Sequence, residues 1–226
     1  MAPRTRAEAL SRERIVEAAV ELLDADGERG LTFRTLTERL ATGPGAIYWH
    51  VPNKGALLDA ATASVVATAL TVEAAGSPQD EIRAIALGLF EAIERHPWLS
   101  PQLALQLSRS PWSSVTPRIF ESVGRRVSAL GAPETTWFTA TSALVHYIFG
   151  AAGQNAANSR VLGLGVDRAE FLDAAANAWE ELDPAEFPFL RSISDEVREH
   201  DDREQFLTGI DLILAGIAVA GESKRP

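Results

Sequence analysis

The sequence predicts an all-α chain in two helical units, a small N-terminal one and a larger C-terminal one. Three observations carry that prediction. Apolar residues recur at helical spacing, beginning with Ile15, Ala18, Ala19, Leu22 and Leu23 at i, i+3, i+4, i+7 and i+8, the mark of one buried stripe on a helix. No run alternates apolar and polar residues in the way of a strand. Pro44, Pro78, Pro97, Pro117, Pro133 and Pro184 fall at or near the expected first turns of helices, where a missing N–H costs little. The break Gly76-Ser77-Pro78 separates the units.

Each element has its own local signal. Ser11 caps the first helix, which ends at Gly27 or Gly30. Thr32 caps the second, and Leu31 and Leu36 flank that cap at the spacing of a hydrophobic staple. This helix closes near Leu40, and Ala41-Thr42-Gly43 supplies a turn. Gly43 caps a third helix, Pro44 opens it and Pro52 stops it. Asn53 caps a fourth, whose Leu57, Leu58, Ala61 and Val65 lead toward Val72. Beyond the break the pattern predicts helices over 78–95, 98–108, 117–130, 133–159, 167–182 and 203–220. Residues 161–166 read as a flexible link, within a segment 161–202 that forms a lid or an insertion. No period of about 20 to 50 residues marks a repeat array.

Composition narrows the function. The chain has 226 residues, 46% apolar and 23% charged, ordinary for a soluble globular protein. It has no cysteine, which excludes a disulfide framework and a thiolate metal site. Charges run through the first 27 residues without an apolar stretch, so they do not read as a secretory signal. The apolar tail 207–221 is read as too short for a bilayer, and it contains Asp211. A cytoplasmic protein without metal, cofactor or membrane partner is expected. The net charge of −10 is unevenly placed: residues 1–54 carry eight basic and eight acidic side chains, so the excess belongs to the remainder. A polyanion can therefore dock on the first unit.

The segment "TFRTLTERLATGPGAIYWHVPNKGALLDA" (32–60) concentrates the chemistry. Its two helices are about eight and seven residues long, too short to stand alone. They must pack on their neighbours through Leu36, Leu40, Ile47 and Val51. Two short helices around a Gly-containing turn form a helix-turn-helix, whose second helix enters a major groove. Ile47 and Val51 share the buried side, which leaves Tyr48, Trp49 and His50 outside. Tyr and His donate well to phosphate oxygens. Lys54, one of only two lysines in the chain, opens the fourth helix, where the helix dipole also favours an anion. Aromatic pairs on helices are usually core, and an isolated Arg34 is usually a solvated charge; the turn and the "YWH…NK" context reverse that reading.

Residues 11–60 resemble the DNA-binding domain of the TetR (tetracycline repressor) family, through the "LT.R.L...L" of the second helix, "YWHV.NK.ALLDA" and the preceding "ELLDADGERG". The resemblance implies an N-terminal three-helix helix-turn-helix DNA-binding domain at 1–56 and a helical effector-binding and dimerisation domain at 57–226. It places phosphate contacts on Thr32, Tyr48, His50 and Lys54, with Trp49 at the groove edge. Base reading would fall to Arg34 and to Thr42, Gly43, Pro44, Gly45 and Ala46. Here "TGPGA" offers only Thr42 as a polar side chain, where family members often carry several. Arg34 would take a guanine in bidentate fashion, worth about 1–3 kcal/mol of discrimination. Ala46 and Trp49 would meet thymine methyls. Gly45 costs the third helix about 1 kcal/mol against Ala, tolerable if backbone must approach DNA closely.

For the body, Phe90, His96, Trp98, Trp112, Phe120, Trp137, His146, Tyr147 and Phe149 form a pool from which a small-molecule pocket would be drawn. Any single one of them is more often ordinary core. Helices 133–159 and 203–220 are apolar on more than one side, and a homodimeric four-helix bundle would bury the excess. The expected function is a repressor that binds a near-palindromic operator as a homodimer and is released by a small-molecule effector. Two other classes stand beside it. One is a DNA-binding architectural protein without effector. The other is an all-helical enzyme, for which the chain offers no HExxH, GxSxG or P-loop.

Overall fold

The computed structural model describes residues 10–71, 76–110, 112–162 and 167–222, and no strand occurs among them. The head comprises α1 (Arg12–Gly30), α2 (Phe33–Leu40) and α3 (Pro44–His50), and α4 (Lys54–Ala69) connects it to the body. The body comprises α5 (Pro78–Arg95), α6 (Leu99–Arg109), α7 (Val115–Ala129), a 3-10 turn (Glu134–Thr136), α8 (Trp137–Leu162), α9 (Arg168–Glu180), α10 (Pro188–Ser192), α11 (Ser194–Arg198) and α12 (Asp202–Glu222).

The caps sit where local chemistry puts them. Ser11, Thr32 and Asn53 each accept a hydrogen bond from the backbone N–H three residues on. Leu31 and Leu36 close the staple with no exposed surface. Both candidate ends of the first helix are used. Gly27 kinks α1 at φ 65°, and the helix resumes to Gly30. Ala41 ends α2 in the left-handed region at φ 49°, the only non-glycine with positive φ among the described residues.

The helix predicted over 78–95 keeps its bounds, and the other predicted body helices shift at their ends by up to four residues. Two short helices, α10 and α11, appear where 161–202 was expected to form a lid or insertion; both pack on α9. Val66, rather than Val65, is the fully buried valine of α4. Val72 and residues 163–166 of the proposed link lie outside the described residues.

One continuous core joins head and body. Ile15, Leu23, Leu36, Ile47, Val51 and Leu57 fill the head, and Ile85, Leu89, Val123, Leu144, Ile148 and Ile210 fill the body. Gly88 lets α5 meet α4 closely, since a Cβ there would overlap the Ala69 carbonyl oxygen. The apolar tail is longer than the sequence reading allowed: Asp202–Gly221 is long and apolar enough, by length and composition, to cross a membrane. In the fold it is a packed helix. Phe206, Ile210, Leu214 and Ile217 face α5 and α8, and Asp211 accepts a hydrogen bond from Arg83 Nε of α5 at 2.6 Å. Its far side remains open, with Leu212 exposed, as is Phe138 at the start of α8.

Candidate nucleic-acid interface

The second short helix of the head is held from behind and open in front. Ile47 and Val51 are buried. Beyond them α3 shows Tyr48 half-exposed and Trp49 at 87% exposure. An indole left this far in water gains nothing for the fold, because its apolar area is not removed from solvent. Tyr48 stacks on Phe33, the first residue of α2, with ring centroids 4.3 Å apart and planes 12° from parallel. That stacking braces the phenol outward. His50 is partly exposed at the end of α3.

The turn leaves backbone accessible. Thr42 N donates to Thr37 O at 3.1 Å, Gly43 caps α3 without a side chain, and Pro44 follows. A Cβ on Gly43 or Gly45 would meet nothing within 4 Å, so the protein's own packing does not require glycine at either place. Ala46 is exposed beside them.

The charged members already have partners. Arg34, 87% exposed, gives its Nε to Glu38 Oε1 at 3.0 Å. Such an exposed i,i+4 pair is worth only about 0.3–0.5 kcal/mol, so it yields readily to a base or phosphate. Lys54 Nζ donates to the Glu28 carbonyl at 2.7 Å and lies 3.9 Å from the Glu28 carboxylate. The Thr32 hydroxyl accepts from Thr35 N and lies 3.0 Å from Thr35 Oγ1. Capping and any phosphate contact therefore share one oxygen. Sequence reasoning missed Phe33 and Glu28, because their contacts join residues on different helices; only the apolar first position of α2 hinted at Phe33.

The effector pool does not converge. Phe90 packs on Phe206 with centroids 4.6 Å apart, and Tyr147 stacks on Phe206 and donates to its carbonyl at 3.2 Å. Burial pushes the Tyr147 phenol above its ordinary pKa. Trp137 Nε1 is bound to Ala132 O. His96 and Trp98 both bond Asp24 of α1. His146 and Trp112 face outward, His146 because its side of α8 points away from the core and Trp112 because it sits in the turn between α6 and α7. Phe120 and Phe149 line a gap of only about 10 Å³ between α6, α7 and α8. A much larger cleft, about 740 Å³, lies between α1, α4 and α5, and of the pool only His96 lines it.

A braced aromatic face on a helix-turn-helix, carried by a larger helical body, defines a DNA-binding regulator. The pattern of bacterial regulatory proteins of the tetR family matches residues 15–61. That of the tetracycline repressor-like C-terminal domain matches residues 72–220. The chain belongs to the TetR family of transcriptional regulators. A helix-turn-helix transcriptional regulator of Saccharopolyspora erythraea is 33% identical over 142 residues, 62% of this chain and 59% of that protein. The class D tetracycline repressor of Escherichia coli is 30% identical over 215 residues, 93% of this chain and 90% of the relative. The structure of the transcriptional regulator SCO7222, a TetR from Streptomyces coelicolor, superposes with a TM-score of 0.88 at 65% identity, covering 94% of this chain and all of that one.

Proposed function

We propose that this regulator is a homodimeric repressor. Its heads, residues 1–56, each lay α3 in the major groove of one half of a near-palindromic operator. The bodies, residues 57–226, pair through α8 and α12 and bind a small molecule that releases the DNA. It works by binding rather than turnover, in the cytoplasm. The observation that carries this reading is the outward face of α3, where Trp49 at 87% exposure and a braced Tyr48 offer contacts that the fold does not use. Tyr48, His50, Thr32 and Lys54 hold the phosphates, Trp49 sits at the groove edge, and Arg34 with the stretch from Thr42 to Ala46 meets the bases. Resemblance to a protein named as a tetracycline repressor over nine-tenths of both chains supports repression.

The open apolar side of α12 around Leu212 supports pairing, since a surface of this kind needs a cover. Of the effector pool, Phe120 and Phe149 are best placed, and a ligand would enter by widening the gap they line between α6, α7 and α8. Selection of bound duplexes from a random library, followed by footprinting, tests the reading. A protected site with two-fold symmetry is expected. Retention of no duplex at low ionic strength would refute it. A thermal-shift screen of metabolites and antibiotics then finds the effector, because a ligand of the native state raises apparent stability.

A further inference from the structure

We propose that α6 fixes the angle of the head through a three-rung hydrogen-bond ladder, and that this ladder sets the half-site spacing the protein accepts. The inference rests on the regulatory reading above. Trp98, Gln102 and Gln106 stand four residues apart and so share one stripe at the start and along the length of α6. All three side chains are more than nine-tenths buried. Each gives one N–H to a carboxylate on α1 or α4. Trp98 Nε1 reaches Asp24 Oδ1 at 2.7 Å, Gln102 Nε2 reaches Glu28 Oε2 at 3.1 Å, and Gln106 Nε2 reaches Asp59 Oδ1 at 2.9 Å. Asp24 and Glu28 are themselves four residues apart on α1. His96 Nδ1, at the end of α5, adds a second contact to Asp24 Oδ1 at 2.7 Å.

The chemistry makes this seam directional. Neutral donors meet ionised acceptors, and such bonds are stronger than neutral pairs. The donors are buried while the carboxylates remain partly or fully exposed. A head that swings away exchanges these charge-assisted bonds for weaker ones to water, because the seam that buries the donors is the one that opens. Trp98 and Gln102 meet Asp24 and Glu28 at the same four-residue interval, so sliding α6 along α1 by less than one turn breaks those two rungs together, while the third ties α6 to Asp59 of α4. The seam is engaged or it is not. Glu28 links it to the interface, because its carbonyl holds Lys54 Nζ.

In a two-headed protein, the head angle sets the separation of the two α3 helices. On the duplex one helical turn is about 34–36 Å, or roughly 10 base pairs, so one inserted pair shifts and rotates a half-site. A rigid seam makes the protein intolerant of that insertion.

The test combines Trp98→Phe, Gln102→Met and Gln106→Met, which remove the three donors; the two Met changes nearly keep side-chain volume, and Trp98→Phe gives up part of the ring. The probes are an operator selected by the unmodified protein, the same operator with one base pair inserted between half-sites, and a single half-site. The unmodified protein is expected to lose at least about tenfold in affinity on insertion, a coupling of ordinary allosteric size. The triple variant should lose only about threefold or less, within ordinary coupling limits, while its single half-site affinity stays unchanged. Ile85→Val, a mild core truncation away from the seam, should keep the original insertion penalty, as a merely structural effect would. A triple variant that keeps the full penalty overturns the proposal. Should that variant not fold, Trp98→Phe alone decides by the same ratio. Failure of the unmodified protein to bind any duplex would instead overturn the regulatory reading, and the ladder's role with it.

Discussion

Lys54 offers the sharpest test of the interface, because the structure supplies both sides of its balance. Its Nζ rests on the Glu28 carbonyl at 2.7 Å and lies 3.9 Å from the Glu28 carboxylate. The two side chains are 40% and 55% exposed, so letting go costs at most about 1 kcal/mol. A charge-assisted bond to a phosphate returns about 1.5–3 kcal/mol, a net of about 0.5–2 kcal/mol per head. Lys54→Ala in a two-headed complex should then weaken operator binding by about 1–4 kcal/mol, or roughly 5- to 700-fold. Removing one lysine–phosphate pairing lowers the dependence of log K on log salt by about 0.9; two heads give about 1.8. Fluorescence anisotropy with labelled operator across a salt titration reads both quantities. Lys54→Arg should keep most of the slope. The substitution should cost the free protein no more than about 1 kcal/mol of stability, so the weaker binding is not one of folding. An unchanged slope in the Ala variant would refute the clamp, whatever happened to affinity.

Three further outcomes follow from local geometry. Ala41 holds a left-handed conformation at φ 49°, which costs an L-residue about 1–2 kcal/mol; Ala41→Gly should raise stability by up to about 1 kcal/mol in urea unfolding, after the entropy of a freer unfolded chain is deducted. Gly88→Ala should destabilise by about 1–3 kcal/mol, seen as a lower Tm, because its Cβ would overlap the Ala69 carbonyl oxygen where α5 crosses α4. The Asp80 carboxyl is held below its ordinary pKa, first by the Ser77 hydroxyl, then by the Ser77 backbone N–H and by Arg83. Its stabilisation is therefore full above the ordinary aspartate range and fades as pH falls through the lowered value. The gap in Tm between the unmodified protein and Ser77→Ala should narrow on acidification; a constant gap would assign the whole effect to capping of α5.

The parts legible in the sequence are those whose cause lies within a few residues. Ser11, Thr32 and Asn53 cap helices because a short polar side chain meets an unpaired N–H three positions on. Pro44 starts α3 because its φ is already helical. The outward display of Tyr48 and Trp49 was readable for the same reason: once Ile47 and Val51 face inward, helical geometry sends the residues between them out.

Tertiary packing alone decided the partners. Nothing near Lys54 in sequence announces Glu28, and nothing near Trp98 announces Asp24, since each pair joins separate helices. The aromatic pool dispersed for a related reason. Composition supplied the rings, but the faces that α5 to α8 and α12 turn toward one another sent Phe90 and Tyr147 to Phe206, Trp98 to α1 and His146 to solvent. Periodicity can say which residues share a stripe. It cannot say which other stripe that one will meet, because helix–helix contact depends on the crossing and rotation of whole elements, which the summed packing of the core determines.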